Sequence, residues 1–328
     1  MFHPPDPPNV PYLPMTSPPI AIGFIGFGEA GSTIAQGLRS AGAGRLFAYD
    51  IQADAPPSGT RIQQRARESD TTLVSSPAEL SASSDVLLST VTSSSALDAA
   101  HQAAPHLASR HLYADLNSVS PAMKRQLDEV ITNAGARFVE VAVMAPVQPY
   151  GHRVPMLLGG PAAAGFAELM APFGMRLQVL DPSVSVGSAA AVKMCRSIVV
   201  KGLEALMVEC VLGATRFEAE SLVFASLNES FPGIDWKKLA DYMTGRVVVH
   251  GERRAREMEE VAETLRAVGV EPIMAEATAR RQEWAALLDL RAHFGPAGPA
   301  TYREMVAVLE KMALDAGGVT SDALKSEA

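Results

Sequence analysis

Apolar positions in the first half of the chain form short runs that are separated by longer amphipathic segments, a pattern typical of alternating strands and helices. The clearest unit spans residues 19–50, "PIAIGFIGFGEAGSTIAQGLRSAGAGRLFAYD", where an apolar strand, a glycine turn, a helix and a second strand follow one another. Further strands are predicted at "TTLVSS", "SDVLLSTVT", "RHLYADLNSVSP", "ARFVEVAVMAP" and "VPMLLGG". The pattern predicts an α/β fold class, with an N-terminal Rossmann domain over residues 20–182 built on a doubly wound parallel sheet.

From Gly187 onward the apolar spacing becomes helical, which predicts an all-α C-terminal domain over residues 183–328. We expect the preceding Pro-rich arm, residues 1–19, to be disordered. The predicted helices are 187–213, 217–230, 235–250, 252–268 and 300–316, with breaks at Pro232, Gly233, Gly251, Gly269 and Pro272. The first of these helices carries a polar stripe on an apolar background, formed by Lys193, Arg196, Ser197, Lys201 and Glu204.

The first glycine turn has the spacing of a dinucleotide-binding loop. Gly26, Gly28 and Gly31 form G-x-G-x-x-G between a predicted strand and helix, and Asp50 ends the next predicted strand. The backbone N–H groups at the start of the helix would bind the pyrophosphate. A carboxylate at Asp50 can bind a ribose hydroxyl and would repel a 2′-phosphate, so NAD is favoured over NADP. The other loop residues assigned to the cofactor are Phe27, Glu29 and Ala30.

Charge and composition exclude several classes of function. The 328 residues carry a formal net charge of −8 and no long basic run, so we expect no nucleic-acid partner. No window approaches eighteen uncharged apolar residues, which argues against a membrane span. Residues 1–19 lack the charged start and apolar stretch of a secretory signal, so a cytoplasmic protein is expected. Cys195 and Cys210 are too few for a disulfide framework or a cysteine zinc site, and we expect two buried thiols and no metal.

Ligands of doubly wound sheets bind beyond the carboxyl ends of the strands. In this chain the rule indicates three positions that follow apolar runs and precede predicted helices. They are Val91 with Thr92, Asn117 with Ser118, and Met144 with Ala145 and Pro146. Val91, Thr92 and Asn117 are assigned to the cofactor, whereas Ser118, Met144 and Ala145 are assigned to a small-molecule substrate.

Four motifs together resemble the β-hydroxyacid dehydrogenase and 6-phosphogluconate dehydrogenase superfamily, over roughly residues 20–315. They are "GFIGFGEAG", "DLNSVSP", "FVEVAVMAP…LLGG" and "GSAAAVKMC". In that superfamily a lysine on the first helix after the nucleotide domain is the catalytic acid or base, and the resemblance implies this role for Lys193. Family members of this length pair through the helical domain, so the resemblance also implies a homodimer.

The chain departs from the superfamily on the substrate side. The V-S-G-G loop of the superfamily is here Val143 to Pro146, with a bulky Met144 and with no N–H donor on the proline. Arg196 and Ser197 stand where the superfamily has asparagine or a histidine-asparagine pair. This pattern resembles the branch whose C-terminal domain is an uncharacterised phosphogluconate-dehydrogenase-like domain, for which no substrate follows from the superfamily.

The motifs favour an oxidoreductase that moves a hydride between a nicotinamide and a hydroxy-acid-like alcohol. Lys193 would serve as general acid or base if burial and the charges of Arg196 and Lys201 lower its pKa. Arg196 binds an acidic substrate group or forms a structural ion pair. His250 is the candidate substrate residue of a second polar cluster at 250–257. Two alternatives stay open: a redox-neutral lyase or decarboxylase that holds NAD tightly, and a noncatalytic dinucleotide-binding protein.

Overall fold

The computed structural model describes residues 20–315 of the chain. Residues 1–19, predicted to be a disordered arm, and the last residue of the helix predicted at 300–316 lie outside that range. The first half contains eight strands: β1 Ala21–Ile25, β2 Arg45–Tyr49, β3 Thr72–Leu73, β4 Val86–Ser89, β5 Leu112–Asp115, β6 Arg137–Val143, β7 Met156–Gly159 and β8 Leu177–Val179. Its helices are α1 Glu29–Ser40, α2 Ser58–Glu68, α3 Pro77–Ser83, α4 Ala96–Ala103, α5 Pro121–Asn133, α6 Val147–Tyr150 and α7 Ala163–Met170.

The eight strands form one sheet in the order β3-β2-β1-β4-β5-β6-β7-β8. The first six strands are parallel, as predicted, and the α/β fold class is confirmed. The expectation of a wholly parallel sheet is wrong at its end, because β7 pairs antiparallel with β6 and β8 runs parallel to β7. Residues 144–155 contain one short helix and a single 3₁₀ turn, which is too little for the helical crossover that a parallel β6–β7 pair requires.

Apolar side chains cover both faces of the sheet. In β4, Val86 and Leu88 lie in one core while Leu87 lies in the other, because successive strand residues point to opposite faces. The strands are therefore nearly continuous apolar runs, as expected for a sheet that is buried on both sides. The sheet is rigid, and the loops at its carboxyl edge are held by this framework.

The helical half follows β8 and contains six helices within the described residues: α8 Ser188–Arg216, α9 Glu220–Ser230, α10 Trp236–Ala267, α11 Ile273–Leu287, α12 Leu290–Phe294 and α13 Tyr302–Asp315. The predicted all-α character is confirmed. The apolar pattern did not predict α11, and its predicted start of α9 lies three residues before the observed start. Among the described helices none combines the length and apolar content needed to cross a bilayer.

Gly251 does not break a helix, as the sequence had predicted, because α10 runs through it without interruption. A Cβ atom at Gly251 would lie 2.4 Å from the carbonyl oxygen of Gln282 on α11. The missing side chain therefore allows α10 and α11 to approach closely. The glycine is a packing residue, and its lower helix propensity is offset by that contact.

Candidate functional site

The glycine loop lies at the carboxyl end of β1, next to β4. These two strands are neighbours at the point where the strand order reverses, which is where doubly wound sheets bind ligands. Gly26 has a φ of +82°, and its carbonyl oxygen accepts a hydrogen bond of 2.7 Å from Thr90 Oγ1. A Cβ at Gly31 would lie 2.5 Å from the same Oγ1. Glycine is thus required at both positions, for the turn and for the close approach of α1.

The N-terminus of α1 has the form of an anion-binding site. Gly28 precedes the helix, and a Cβ built there would meet no atom within 4 Å. No side chain caps this end of the helix, so the first backbone N–H groups face open space. Glu29 is exposed and Ala30 is half-buried beside this opening. The cradle fits the pyrophosphate of a dinucleotide.

Asp50 lies at the carboxyl end of β2, beside the same loop. Its Oδ2 accepts a hydrogen bond of 2.7 Å from the backbone N–H of Phe27, and its Oδ1 accepts one of 2.9 Å from Gln52 N–H. These bonds fix the carboxylate next to the glycine loop, where it remains half-exposed. The sequence predicted this neighbourhood of Asp50 and the glycine loop, and the structure brings the two together.

The loop after β4 completes the same edge. Val91 is half-buried, and its Cγ1 lies 2.7 Å from where a Cβ of Gly26 would be. Thr92 is exposed and forms a hydrogen bond of 2.9 Å with Ser95 through their hydroxyl groups. Val91 and Thr92 therefore border the glycine loop from the β4 side.

A cavity of about 400 Å³ lies between the sheet edge and the long helices α8 and α10. It combines apolar walls with a small number of ionisable groups, which is typical of small-molecule sites. Its lining residues are Asn117, Ser118, Val119, Lys124, Val141, Ala142, Ala190, Lys193, Met194, Ser197, Lys201, Glu257, Glu260 and Val261.

Lys193 extends from the second turn of α8 into this cavity, and its Nζ donates a hydrogen bond to Ser118 Oγ. Burial lowers the pKa of Lys193 to about 8. The positive charges of Lys124 and Lys201 contribute to this shift, whereas the carboxylate of Glu257 opposes it. The lysine can therefore exist in either protonation state near neutral pH, as an acid–base group must.

The first turn of α8 is bound to the sheet through Glu140. This side chain is fully buried in the middle of β6, and its two oxygens accept hydrogen bonds of 2.7 Å from Gly187 N–H and 2.6 Å from Ala190 N–H. The carboxylate thus satisfies two of the free donors at the helix N-terminus and interacts favourably with the helix dipole. It fixes the helix three residues before Lys193.

A buried ion pair lies beneath the loop that follows β5. Lys124 Nζ is 2.5 Å from Asp115 Oδ2, and it also donates a hydrogen bond to the Val141 carbonyl oxygen. Asn117 donates from Nδ2 to Asp115 and to Ser89 Oγ, whereas its Oδ1 is buried with no hydrogen-bond partner. An unpaired buried oxygen that lines a cavity is available to a ligand that donates a hydrogen bond.

Two carboxylates on α10 face the cavity from the other side. Glu257 binds Lys201 at 2.8 Å, and Lys201 also donates 3.0 Å to Ser197 Oγ. Glu260 has a pKa raised by burial, and its hydrogen bond from Ser93 partly offsets that rise. The sequence reasoning did not find Lys124, Glu140 or Glu260. The available signal was a charged residue at an inward position of an otherwise apolar element, as in "FVEVAV".

The structure does not bring Arg196 to the cavity. Ser197 follows Lys193 by four residues and shares its face, whereas the three-residue step to Arg196 turns it about 60° to the other side. Arg196 is exposed, beside the exposed Cys195 and Val199. Both cysteines are free, and the expectation that both are buried is wrong, because Cys195 lies on this outer face and Cys210 is only half-buried.

Met144 and Ala145 also lie outside the cavity lining. Met144 packs against Ala142 and Leu157, and its backbone N–H donates 2.9 Å to the Pro155 carbonyl oxygen. Ala145 packs against the apolar core on one face of the sheet. The antiparallel turn toward β7 therefore uses this loop for packing.

His250 lies one to two turns from Glu257 along α10 and does not line the cavity. Burial and a group of arginines, led by Arg253, lower the pKa of His250 to about 4. The neighbouring Arg254 forms an ion pair with the buried Glu204. Glu204, the last residue of the polar stripe on α8, therefore has a structural role.

Comparisons with known proteins agree with this geometry. Residues 21–169 match the family described as NAD binding domain of 6-phosphogluconate dehydrogenase, and residues 214–285 match a domain of unknown function, DUF1932. The chain is 36% identical to a conserved hypothetical protein from Sinorhizobium meliloti 1021, with a TM-score of 0.73 and coverage of 90% of this chain and 97% of that one.

Two other solved structures have the same architecture. A conserved protein of unknown function, described as structurally similar to 3-hydroxyacid dehydrogenases, is 31% identical, with a TM-score of 0.67 and coverage of 83% of this chain and 98% of that one. A 3-hydroxyisobutyrate dehydrogenase from Mycobacterium tuberculosis, solved with L-serine, is 15% identical, with a TM-score of 0.66 and coverage of 88% and 99%. The last similarity shows the fold alone.

The two family models thus match the dinucleotide-binding half of the chain and part of the helical half that follows it. The chain belongs to the 6-phosphogluconate dehydrogenase-like superfamily, whose nicotinamide-dinucleotide-binding domain is here followed by the C-terminal domain of unknown function.

Proposed function

We propose that this protein is an NAD(P)-dependent oxidoreductase that transfers a hydride between the nicotinamide and a hydroxy-acid-like alcohol, with Lys193 as general acid or base. One observation carries the proposal: the amine of Lys193 lies in a cavity beside the dinucleotide edge of the sheet, with its pKa lowered to about 8. The fold shared with a 3-hydroxyisobutyrate dehydrogenase supports the substrate class.

The residues of the cavity have different roles in alcohol oxidation. Neutral Lys193 accepts the hydroxyl proton, and Ser118 Oγ, its hydrogen-bond partner, orients the amine toward the substrate oxygen. The bound nicotinamide supplies the hydride acceptor, or the donor in the reverse direction. In reduction, protonated Lys193 returns the proton to the carbonyl oxygen. Val141, Met194 and Val261 form apolar walls that exclude water from the reacting carbon.

We further propose that the cofactor is NAD and that NADP binds more weakly. The fixed carboxylate of Asp50 would accept hydrogen bonds from a ribose hydroxyl and would repel a 2′-phosphate. Asp50→Asn should weaken NAD binding about tenfold and reduce the preference over NADP. The control Asp54→Asn changes an exposed residue in the same loop and should have no effect. Fluorescence titration measures both affinities, and a tenfold preference of the unmodified protein for NADP would contradict the assignment.

A homodimer formed through the helical half is also part of the proposal. The outer face of α8 carries four exposed apolar side chains along one stripe, and a second copy would cover them. They are Val192, Val199, Leu203 and Leu206. Light scattering at micromolar concentration should give twice the mass of the chain, and a monomer mass would rule out the dimer.

Hydride transfer is tested by a screen of 3-hydroxy acids and aryl-substituted hydroxy acids with NAD, with reduced nicotinamide followed by absorbance. The proposal predicts net reduction with at least one compound. Consumption of the compound with only transient reduced nicotinamide, and with release of a product that has lost carbon, would favour the redox-neutral lyase instead. Tight NAD binding with no reduction for any compound would favour the noncatalytic dinucleotide-binding protein.

A further inference from the structure

Two of the three lysines that line the cavity are paired with carboxylates of the protein. Lys124 binds Asp115 at 2.5 Å, and Lys201 binds Glu257 at 2.8 Å. Among the lining residues of the described chain, Lys193 is the one cation without a carboxylate within 4 Å. That amine is already assigned to the reacting hydroxyl group, so no second cation remains to bind a carboxylate.

Two elements that the sequence suggested for binding an acid are directed elsewhere. Arg196 is exposed and does not line the cavity. In the loop after β6, the backbone N–H of Met144 is used by Pro155, and Pro146 has no N–H group. A carboxylate in the cavity would therefore lack an ion-pair partner and would receive no hydrogen bond from the backbone of Met144 or Pro146, and burying it would be costly.

Asn117 and Glu260 supply hydrogen-bond acceptors to the lining of the cavity. Asn117 Oδ1 is buried with no hydrogen-bond partner. Glu260 is half-buried, lines the cavity and has no cation within salt-bridge distance in the described residues. A carboxylate only accepts hydrogen bonds, and it would be repelled by Glu260, whereas a hydroxyl or amide N–H group can donate to both positions. Val119, Met194 and other apolar side chains complete the walls.

We propose that the cavity selects an uncharged alcohol, in which no free carboxylate lies beside the reacting carbon, and that Glu260 enforces this selection. The inference rests on the proposed function for the position of the reacting carbon. It narrows the hydroxy-acid-like class to its neutral members, such as esters, amides or compounds with a second hydroxyl group in place of the acid.

Matched pairs of compounds test this selection. The probes are 3-hydroxy-2-methylpropanoate and 3-hydroxy-3-phenylpropanoate, each compared with its methyl ester and primary amide. Calorimetry in the presence of saturating NAD measures binding, and absorbance of reduced nicotinamide measures turnover. At least one neutral member should bind at least tenfold more tightly than its acid, and any turnover should show the same preference.

Glu260→Gln should reduce the ratio of the acid's Kd to the neutral compound's Kd at least threefold, mainly through tighter binding of the acid. The substitution removes the negative charge while keeping the shape of the side chain. The matched control is Glu252→Gln, an exposed residue on the same helix, which should leave the ratio unchanged. A ratio that Glu260→Gln does not change would overturn the role of Glu260.

The outcomes separate this inference from the proposed function. Equal or tighter binding of the acids, or no binding of any neutral compound, would overturn the inference and would leave hydride transfer to be judged by turnover alone. Turnover of an acid with a kcat/KM equal to or above that of its ester and amide would also overturn the inference. If no compound is turned over, the proposed function fails, while the ratio of binding affinities still decides the inference.

Discussion

Replacement of Glu140 by glutamine tests how the sheet fixes the helix that carries Lys193. The carboxylate is fully buried and accepts two backbone hydrogen bonds, from Gly187 and Ala190. In Glu140→Gln the amide oxygen can accept one of them, while the amide NH₂ group faces the other donor. A hydrogen bond to a charged group contributes about 1.5–3 kcal/mol, and the lost interaction with the helix dipole adds about 0.3–1 kcal/mol. The expected loss of stability is roughly 2–4 kcal/mol.

Thermal unfolding followed by circular dichroism measures this loss. At about 1.5 °C per kcal/mol for a chain of this size, Tm should fall by about 3–6 °C. The control Glu168→Gln removes an exposed carboxylate from the same half of the protein and should leave Tm within about 1 °C. An unchanged Tm in Glu140→Gln, or an equal fall in the control, would refute the view that this carboxylate holds α8 on the sheet.

The other predictions concern pH dependence and helix packing. Because Lys193 must be neutral to accept a proton and its pKa is lowered to about 8, kcat/KM for alcohol oxidation should rise with pH through about 8. Lys201→Met removes a positive charge near Lys193 and frees Glu257 from its ion pair, so the midpoint of the pH profile should move to higher pH. A midpoint that falls or stays fixed would contradict the assignment of Lys193 as the proton acceptor. Gly251→Ala should lower stability by about 1–3 kcal/mol, because its Cβ would collide with Gln282, whereas Gly213→Ala in an open helical position should stabilise by up to about 1 kcal/mol. Urea unfolding compares the two alanine variants, and equal effects would contradict the packing role of Gly251.

The dinucleotide edge could be predicted from the sequence because its constraints are local. Gly26, Gly28 and Gly31 lie within six residues of one another, and Asp50 ends the next strand of the same βαβ unit. The spacing of these residues fixes both the turn and the neighbourhood of the carboxylate. The reversed direction of β7 was not predictable in the same way, since it depends on how little helix the connecting segment contains.

The helical half was predicted less well because helix ends there depend on packing between distant segments. Gly251 has a poor helix propensity, yet the contact with Gln282 keeps α10 continuous. The position of Arg196 was missed for a geometric reason. Residues three positions and four positions after Lys193 lie on either side of it around the helix axis. Only the side that carries Ser197 and Lys201 faces the cavity.

The electrostatics of the cavity were the least accessible to sequence reasoning. Lys124, Glu140 and Glu260 come from α5, β6 and α10, and no local spacing connects them to Lys193. The sequence suggested that burial and the charges of Arg196 and Lys201 lower the pKa of Lys193; burial has the largest effect and Lys201 contributes, but the other lysine that contributes is Lys124, and Arg196 is not among the causes. Those contributions depend on three-dimensional distances.

The central claim, that Lys193 carries the proton, is tested most directly by turnover and NAD affinity measured together in Lys193→Met. Turnover of a substrate from the screen should fall by about 10²–10⁴, while the Kd for NAD should stay within about threefold of the unmodified protein. Lys193→Arg should lose nearly as much, because a guanidinium stays protonated. Lys238→Met, at an exposed lysine of α10, should be fully active. Near-normal turnover in both Lys193 variants would contradict the account.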